Sequence, residues 1–385
     1  MPTIRPKIIV DNRYESQTSY TIDLDLPTSG LLSTLYLIVR ARTLATIPIQ
    51  DPYMKNLISS ISLNQAGQDA LNAARPCAFQ ADYYYKTGKF PQIGNRRWQT
   101  EGDVEETIPI LFGDKVDDPY HYIDLAKMRD PKLSITYDLA TKDYAGYSLW
   151  DTSYYPRFTI IANFLEGAGI PGSLGYHSLR TLESFTPSNL EKRKVELKGG
   201  RPIKRIYLWQ DGTIPGLVMH QNVSEIKLWG DNEAWVPFSM ESERFKELVR
   251  MYFGIGKATG SLAYVGSTKD IDVIFEEMEH VSVHEDADQT HAADIDGGSG
   301  RGWSIQFYKR TDGLIDTSAV GHVNFEFSGI APWGIYPIDM AKMLGMDTLD
   351  PKQHAPVHVE IDFEDSLTAA YAGPFRVLIE DIATQ

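Results

Sequence analysis

The chain is 385 residues long with 42% hydrophobic and 23% charged residues, and its 52 acidic against 37 basic side chains give a formal charge of −15. That length exceeds one ordinary core and suits two domains, and the balance of apolar and charged residues is that of a folded protein. Acidity on this scale argues against wrapping phosphate backbones, because nucleic-acid affinity rests on Lys and Arg.

The amino-terminal segment, residues 1–16, is the local exception. Arg5, Lys7 and Arg13 outnumber Asp11 there, and the segment reads either as a solvated arm or as a basic strip against lipid or nucleic acid. It lacks the basic-then-apolar-then-small order of a secretory signal. The single cysteine, Cys77, has no second cysteine to bridge to within the chain, so a reducing cytoplasm is the expected folding compartment. The longest strongly apolar stretch, from Leu31 to Val39, is far shorter than the roughly 20 residues of a membrane-crossing helix.

Strands follow. In Thr21–Leu26 the apolar Ile22, Leu24 and Leu26 alternate with Asp23 and Asp25, the period of a strand with one face buried. Leu31–Leu37, Ile58–Leu63 and Ile108–Phe112 are short apolar runs of the same kind, set off by turn residues such as Pro27 and Gly30. Between Leu71 and Thr107, the run ADYYYKTG (Ala81–Gly88) suits a strand or a helix. Asp118 is placed to cap a short helix that opens at Pro119 and carries Tyr122–Met128, in which Lys127 reads as a solvated helical lysine. Leu133–Leu139 and Phe158–Glu166 are further strands. Between them lies a connection rich in Tyr and Trp, with Tyr144, Tyr147, Trp150, Tyr154 and Tyr155. These residue types are favoured at interfaces, so the connection is a candidate contact between subunits or a packing element of its own domain.

The chain then repeats itself. Val195–Leu208 aligns without a gap on Leu24–Leu37, pairing Tyr207 with Tyr36 and Leu208 with Leu37. Val223–Leu228 falls on Ile58–Leu63, and Val323–Phe327 on Ile108–Phe112. IDMAKM (Ile338–Met343), with Lys342, echoes YIDLAKM (Tyr122–Met128), and each is followed by Asp-Pro-Lys. Val357–Phe363 resembles Leu133–Leu139, and Phe375–Ile382 resembles Phe158–Glu166. Matches in one order at a period of half the chain mean two copies of one domain. The expected division is 17–190 and 191–385, two matching lobes with no single core crossing the midpoint near residue 190. The second copy carries an insertion over about 229–320. It includes an amphipathic helix with Phe245, Leu248, Val249 and Tyr252 on one face and Gly254 at its end, then an acidic stretch and the glycine-rich Gly297–Gly302. Each copy reads as seven or eight antiparallel strands with a short inserted helix. The fold class is all-β, with two tandem sandwiches of jelly-roll type.

Catalytic constellations are hard to find. There is no G-x-S-x-G elbow, and GIGKATG (Gly254–Gly260) sets its lysine too near the preceding glycine for a Walker loop. Two-domain cupins place two imidazoles two residues apart on a strand, and this chain has no H-x-H. The best imidazole groups are the run from His280 to His291, inside the hydrophilic insertion, and His354 with His358. The first reads as a solvated charged face and the second as surface histidines, so no catalytic, cofactor or metal residue is expected. The glycosylation sequon Asn222–Ser224 lies in a predicted strand and is set aside.

The segments LLSTLYLIVRA, LISSISLNQAG and IPILFGDKVDDPYHYIDLAKMRDPKLSITYDL together resemble the first domain of double jelly-roll major capsid proteins. Those proteins form the shells of tailless, often membrane-containing icosahedral viruses of bacteria and archaea and of their adenovirus-like relatives. The resemblance implies eight-stranded jelly rolls standing side by side, a homotrimer with a pseudo-hexameric outline, and a capsid lattice in the virion, assembled in the host cytoplasm. It implies further contacts with vertex or minor capsid proteins, an inner face where Arg5, Lys7 and Arg13 meet an internal membrane if one is present, and no sequence-specific nucleic acid. It brings no catalytic residues. A bicupin-like or carbohydrate-active two-domain protein is the alternative from the enzyme class, and a receptor-binding spike component is a third.

Overall fold

The computed structural model describes residues 3–44, 54–65, 68–73, 75–91, 96–98, 103–142, 148–198, 200–210, 222–265, 269–272, 275–285, 291–296, 304–311, 314–315, 320–364 and 373–384. In chain order the first half contains β1 (Thr3–Arg13), β2 (Ser19–Asp25), β3 (Leu31–Arg42), α1 (Met54–Leu57), β4 (Ile58–Gln65) and β5 (Gln68–Ala73). It continues with α2 (Pro76–Thr87), β6 (Arg96–Trp98), β7 (Asp103–Leu111), β8 (Ile123–Asp124), β9 (Pro131–Asp138) and β10 (Arg157–Glu166). One sheet runs β1-β10-β3-β7, with β8 also on β3, and the facing set runs β2-β9-β4-β5.

The second half uses β11 (Tyr176–Phe185), β12 (Lys192–Glu196), β13 (Ile203–Gln210), β14 (Val223–Gly230), β15 (Trp235–Glu241) and α3 (Ser242–Phe253). After the insertion come β23 (Ile335–Asp339), α4 (Met340–Leu344), β24 (His358–Phe363) and β25 (Phe375–Ala383). Their order is β11-β25-β13-β23 and β12-β24-β14-β15, the same pairing pattern as in the first half, and a parallel pairing of β5 with β11 joins β2-β9-β4-β5 to β11-β25-β13-β23 as one eight-stranded sheet. The insertion itself holds β16 (Gly256–Val265), β17 (Lys269–Asp272), β18 (Phe275–Glu285), β19 (His291–Asp296), β20 (Ser304–Thr311), β21 (Leu314–Ile315) and β22 (Val320–Pro332). These make two small sheets, one of which takes in β6 of the first half.

Strand register tests the repeat residue by residue. Leu37 lies opposite Ile160 and Leu208 opposite Val377, as the aligned pairs require. Leu63 lies opposite Leu133 and Leu228 opposite Val359, so β9 matches β24 two residues further along than the sequence alignment placed it. A shift of two keeps every side chain on the same face, which is why hydrophobic pattern alone did not detect it. The most visible echo is the one that moves. Pro109 lies opposite Tyr36 and Pro337 opposite Tyr207, so Ile108–Ile110 corresponds to Tyr336–Ile338 rather than to Val323–Phe327, and Ile338 falls on Ile110 rather than within Tyr122–Met128. The two lysine motifs still share local chemistry: Asp124 caps the 3-10 turn Leu125–Lys127 and Asp339 caps α4 through the N–H of Lys342. Asp118 does not cap a helix; its carboxylate accepts the backbone N–H groups of Asp114, Tyr120 and His121 and ties a loop together.

Residues 3–13, expected as a free arm, are the edge strand β1, with Ile4 opposite Leu165 and Ile8 opposite Ile161. Its side chains are mostly exposed on both faces, so the buried-and-exposed alternation by which strands are read is missing, and backbone pairing holds it with partial packing of Ile9 and Val10 against the core. The Ala81–Gly88 run resolves as the end of helix α2, closed by Gly88 in the left-handed region at φ 70°. Helix α3 buries Phe245 and Val249, half-buries Leu248 and leaves Tyr252 exposed, with the Gly254 N–H donating to the Arg250 carbonyl.

The buried cluster is continuous. Ile22, Leu35 and Ile135 of the first half and Val195, Ile206 and Val377 of the second belong to one contiguous set, contrary to the expectation of two separate cores. The physical reason is that the sheet β11-β25-β13-β23 is covered on both faces. Val377 and Ile379 lie in its own sandwich, whereas Tyr207, Glu380 and Ile335 meet side chains of α2. Strand β11 belongs to the C-terminal pairing set although it precedes residue 190. Gly175 leads into it at φ 127°, and a Cβ there would sit 2.6 Å from the Ala383 carbonyl oxygen. Gly175→Ala is therefore expected to cost about 1–3 kcal/mol. Gly172→Ala, where a Cβ meets nothing within 4 Å, serves as the near-neutral control in the same thermal-unfolding series.

Candidate functional site

The densest polar cluster among the described residues lies where α2 of the first half meets the sheet of the second. Arg205, Tyr207, Glu380 and Asp339 project from β13, β25 and β23 toward Asp82 and Lys86 on α2. The Lys86 Nζ lies 2.8 Å from Asp82 and 2.7 Å from Glu380, with both ends of each pair buried. The Arg205 guanidinium donates to Asp339 at 2.5 Å and to Glu380 at 2.7 Å. The Tyr207 hydroxyl donates to Asp82 at 2.7 Å. Nδ1 of His177, on β11, lies 2.7 Å from Glu380 Oε1, a close contact whose angle is not that of a hydrogen bond.

Burial works against every charge here, and the neighbours decide which survive. Burial would raise Glu380, but Lys86, Arg205 and His177 hold its carboxyl well below the usual carboxylate range. Burial opposes the Lys86 ammonium, yet Asp82 and Glu380 keep it above its ordinary value. Asp82 is raised, chiefly by burial. For His177 burial dominates over the attraction of Glu380 and lowers the imidazole to about 4, so it is neutral at physiological pH. The cluster continues into the Phe112–Tyr122 loop, where Lys204 pairs with Asp114 and His121 Nδ1 lies 3.0 Å from Asp118. Its chemistry is that of a polar clamp between the halves. Sequence spacing could not reveal it, since Lys86 and Glu380 are remote in the chain; the one local signal is a charged residue inside an apolar strand, as in Val377–Asp381.

The residues singled out in the sequence are dispersed. Trp150 is fully buried, so it packs inside its own half and is removed from the set of interface residues. Tyr155 is half-buried against the core. Tyr154 has the Arg42 guanidinium at 3.9 Å and that of Arg157 at 5.2 Å from its ring centre. Tyr144 and Tyr147 lie outside the described residues. Arg5 pairs with Glu166 and Arg13 with Glu15 at the surface, and Lys7 is exposed on the same strand. His354 stacks on Trp235 and contacts Asp231 at 2.8 Å, and His358 stacks on Trp229. The sequon residue Asn222 is buried and donates to Gln210 at 3.0 Å.

No family model matches the sequence, and no curated protein matches it. Solved structures do. The major capsid protein of STIV, Sulfolobus Turreted Icosahedral Virus, aligns at a TM-score of 0.60 with 11% identity, over 99% of this chain and 97% of that one. The PBCV-1 virus capsid aligns at 0.60 with 8% identity, over 99% and 93%. The major capsid protein P2 of Bacteriophage PM2 aligns at 0.51 with 9% identity, over 100% and 99%.

The fold is a double jelly roll.

In that light the clamp joins the two jelly rolls of one chain, and α2 is the wedge between them. The double jelly roll also accounts for the paired helices α2 and α3, each 12 residues long and each following the hairpin β4-β5 or β14-β15.

Proposed function

We propose that this chain is a structural capsid protein that builds a virus shell from copies of itself. The observation that carries this reading is full-length likeness, both lobes included, to the major capsid proteins of STIV and PM2 and to the PBCV-1 capsid. A clamp that fixes one jelly roll against the other suits a rigid building block rather than a hinged enzyme. The finer reading is a trimer with a pseudo-hexameric outline, since three copies of a two-lobed chain give six similar lobes from threefold symmetry alone. The proposed lobes are residues 3–166 and 176–383, with a wall-like joint between them. Strand β1, bearing exposed Ile4 and Ile8 beside Arg5 and Lys7, is the proposed inner or intersubunit edge, because an open strand edge with apolar side chains invites a partner. Location in a virion, contacts with minor or vertex proteins and an underlying membrane belong to the same proposal.

Light scattering on the purified chain, followed by electron microscopy of the concentrated protein, tests it. Trimers and hexagonally packed arrays are expected. A monomer that persists at high concentration, with no arrays, would overturn the proposal.

A further inference from the structure

We propose that Asp114, His121 and His177 form a site for a divalent transition-metal ion of the zinc class, placed on the seam between the two jelly rolls. One ligand atom from each residue lies within 4.8 Å of the others. Two imidazoles and a carboxylate are the donor set that holds zinc with a fourth position open to water.

Three observations go beyond mere proximity. First, His177 is fully buried and neither of its ring nitrogens has a hydrogen-bond partner; Oδ1 of Asp114, 3.8 Å from Nδ1 of His177, is likewise buried without one. Buried polar atoms normally find partners, so orphans this close together point to a missing third party. Second, each imidazole has a carboxylate behind one nitrogen: Asp118 lies 3.0 Å from Nδ1 of His121, and Glu380 lies 2.7 Å from Nδ1 of His177. For His121, whose Nδ1 is hydrogen-bonded to Asp118, that leaves Nε2 as the ligand atom and matches the carboxylate–histidine–metal pattern that orients imidazole ligands. Third, carboxylates outnumber cations at close range. Asp82, Asp114, Asp118, Asp339 and Glu380 stand against Lys86, Lys204 and Arg205, with Lys342 the next cation out.

The competing cations are specific. Lys204 pairs with Oδ2 of Asp114, and an Arg205 nitrogen lies 3.7 Å from Oδ1. A metal ion binds Oδ1 and leaves the Lys204 pair on Oδ2 intact. Tetrahedral bonds of about 2.1 Å hold donors roughly 3.4 Å apart, so the present group closes by about an ångström. The loop between β7 and β8 carries Asp114 and His121, and it closes onto His177, which β11 holds fixed. Because Asp114 and His121 come from the first jelly roll and His177 from the second, the ion would pin the lobes together.

The test uses the full chain stripped with EDTA. Cobalt(II) titration followed by visible absorption, and thermal unfolding with and without zinc, are run on wild type, His121→Ala, Asp114→Asn and His284→Ala. His284 represents the separate imidazole run in the insertion. One cobalt per chain with tetrahedral-intensity bands and a zinc-dependent rise in Tm are expected for wild type and His284→Ala. Both signals should be lost in His121→Ala and reduced at least tenfold in affinity in Asp114→Asn, with unchanged far-UV spectra. Absence of binding, or binding that survives His121→Ala, overturns the assignment. Neither readout depends on assembly, so the result stands apart from the capsid proposal.

Discussion

Glu380→Gln should destabilise the protein by about 3–5 kcal/mol, the range for breaking a buried ion pair by removing one partner. Its carboxylate is shared by Lys86, Arg205 and His177, all buried, and the neutral amide leaves Lys86 with Asp82 and Arg205 with Asp339 and the more distant Asp114. The comparison that gives the number meaning is Glu105→Gln. Glu105 pairs with Arg40 at 2.7 Å, but with both side chains more than 40% exposed, so water and salt screen it and its loss should cost less than about 1 kcal/mol. Urea unfolding followed by tryptophan fluorescence reads both. Equal midpoints for the two variants would mean that the clamp does not hold the lobes. The double replacement Lys86→Met with Glu380→Leu should recover part of the loss, since apolar side chains of similar volume avoid the desolvation cost of charges.

Trp150→Ala is expected to cost about 3–5 kcal/mol as well, for a different reason. The indole is fully buried and lies in the continuous core with Leu149 and Phe158, so truncation removes a large apolar transfer and opens a cavity. Tyr154→Ala, a few residues away, should cost only about 0.5–1 kcal/mol, the worth of its cation–π contact with Arg42. The pair separates packing from subunit contact. If Trp150→Ala leaves the unfolding midpoint unchanged while lowering the mass of the assembly, the packing role is wrong.

Much of the fold was legible because one-face burial writes itself into period two. Ile22, Leu24 and Leu26 alternate as a strand must; Ile22 and Leu24 are buried on one face of β2, and Leu26 is buried just past its end. The repeat was legible through residues whose neighbours recur, such as Tyr36 and Tyr207, each opposite a proline. The most eye-catching echo misled, because Asp-capped turns are a local solution that can recur at non-equivalent places. Strand β1 escaped because an exposed edge needs no apolar face. The two-sided burial of β25 was written in the unbroken run Val377–Ile379, but which element covers the second face is a long-range fact. The clamp and the imidazole pair were invisible for the same reason: His121 and His177 meet at 4.8 Å between ring centres only once two lobes have formed.

The pairing of β11 with β25 has a consequence for synthesis. The second lobe opens with residues 176–185 and cannot close its sheet until residues 375–383 have left the ribosome. Throughout that interval the first lobe carries Asp82 and Lys86 uncovered, with water in place of Glu380. The nascent chain is thus half finished for about as long as it takes to make the second lobe, and a premature stop anywhere in that stretch releases an orphan first lobe whose wedge helix has nothing to close upon.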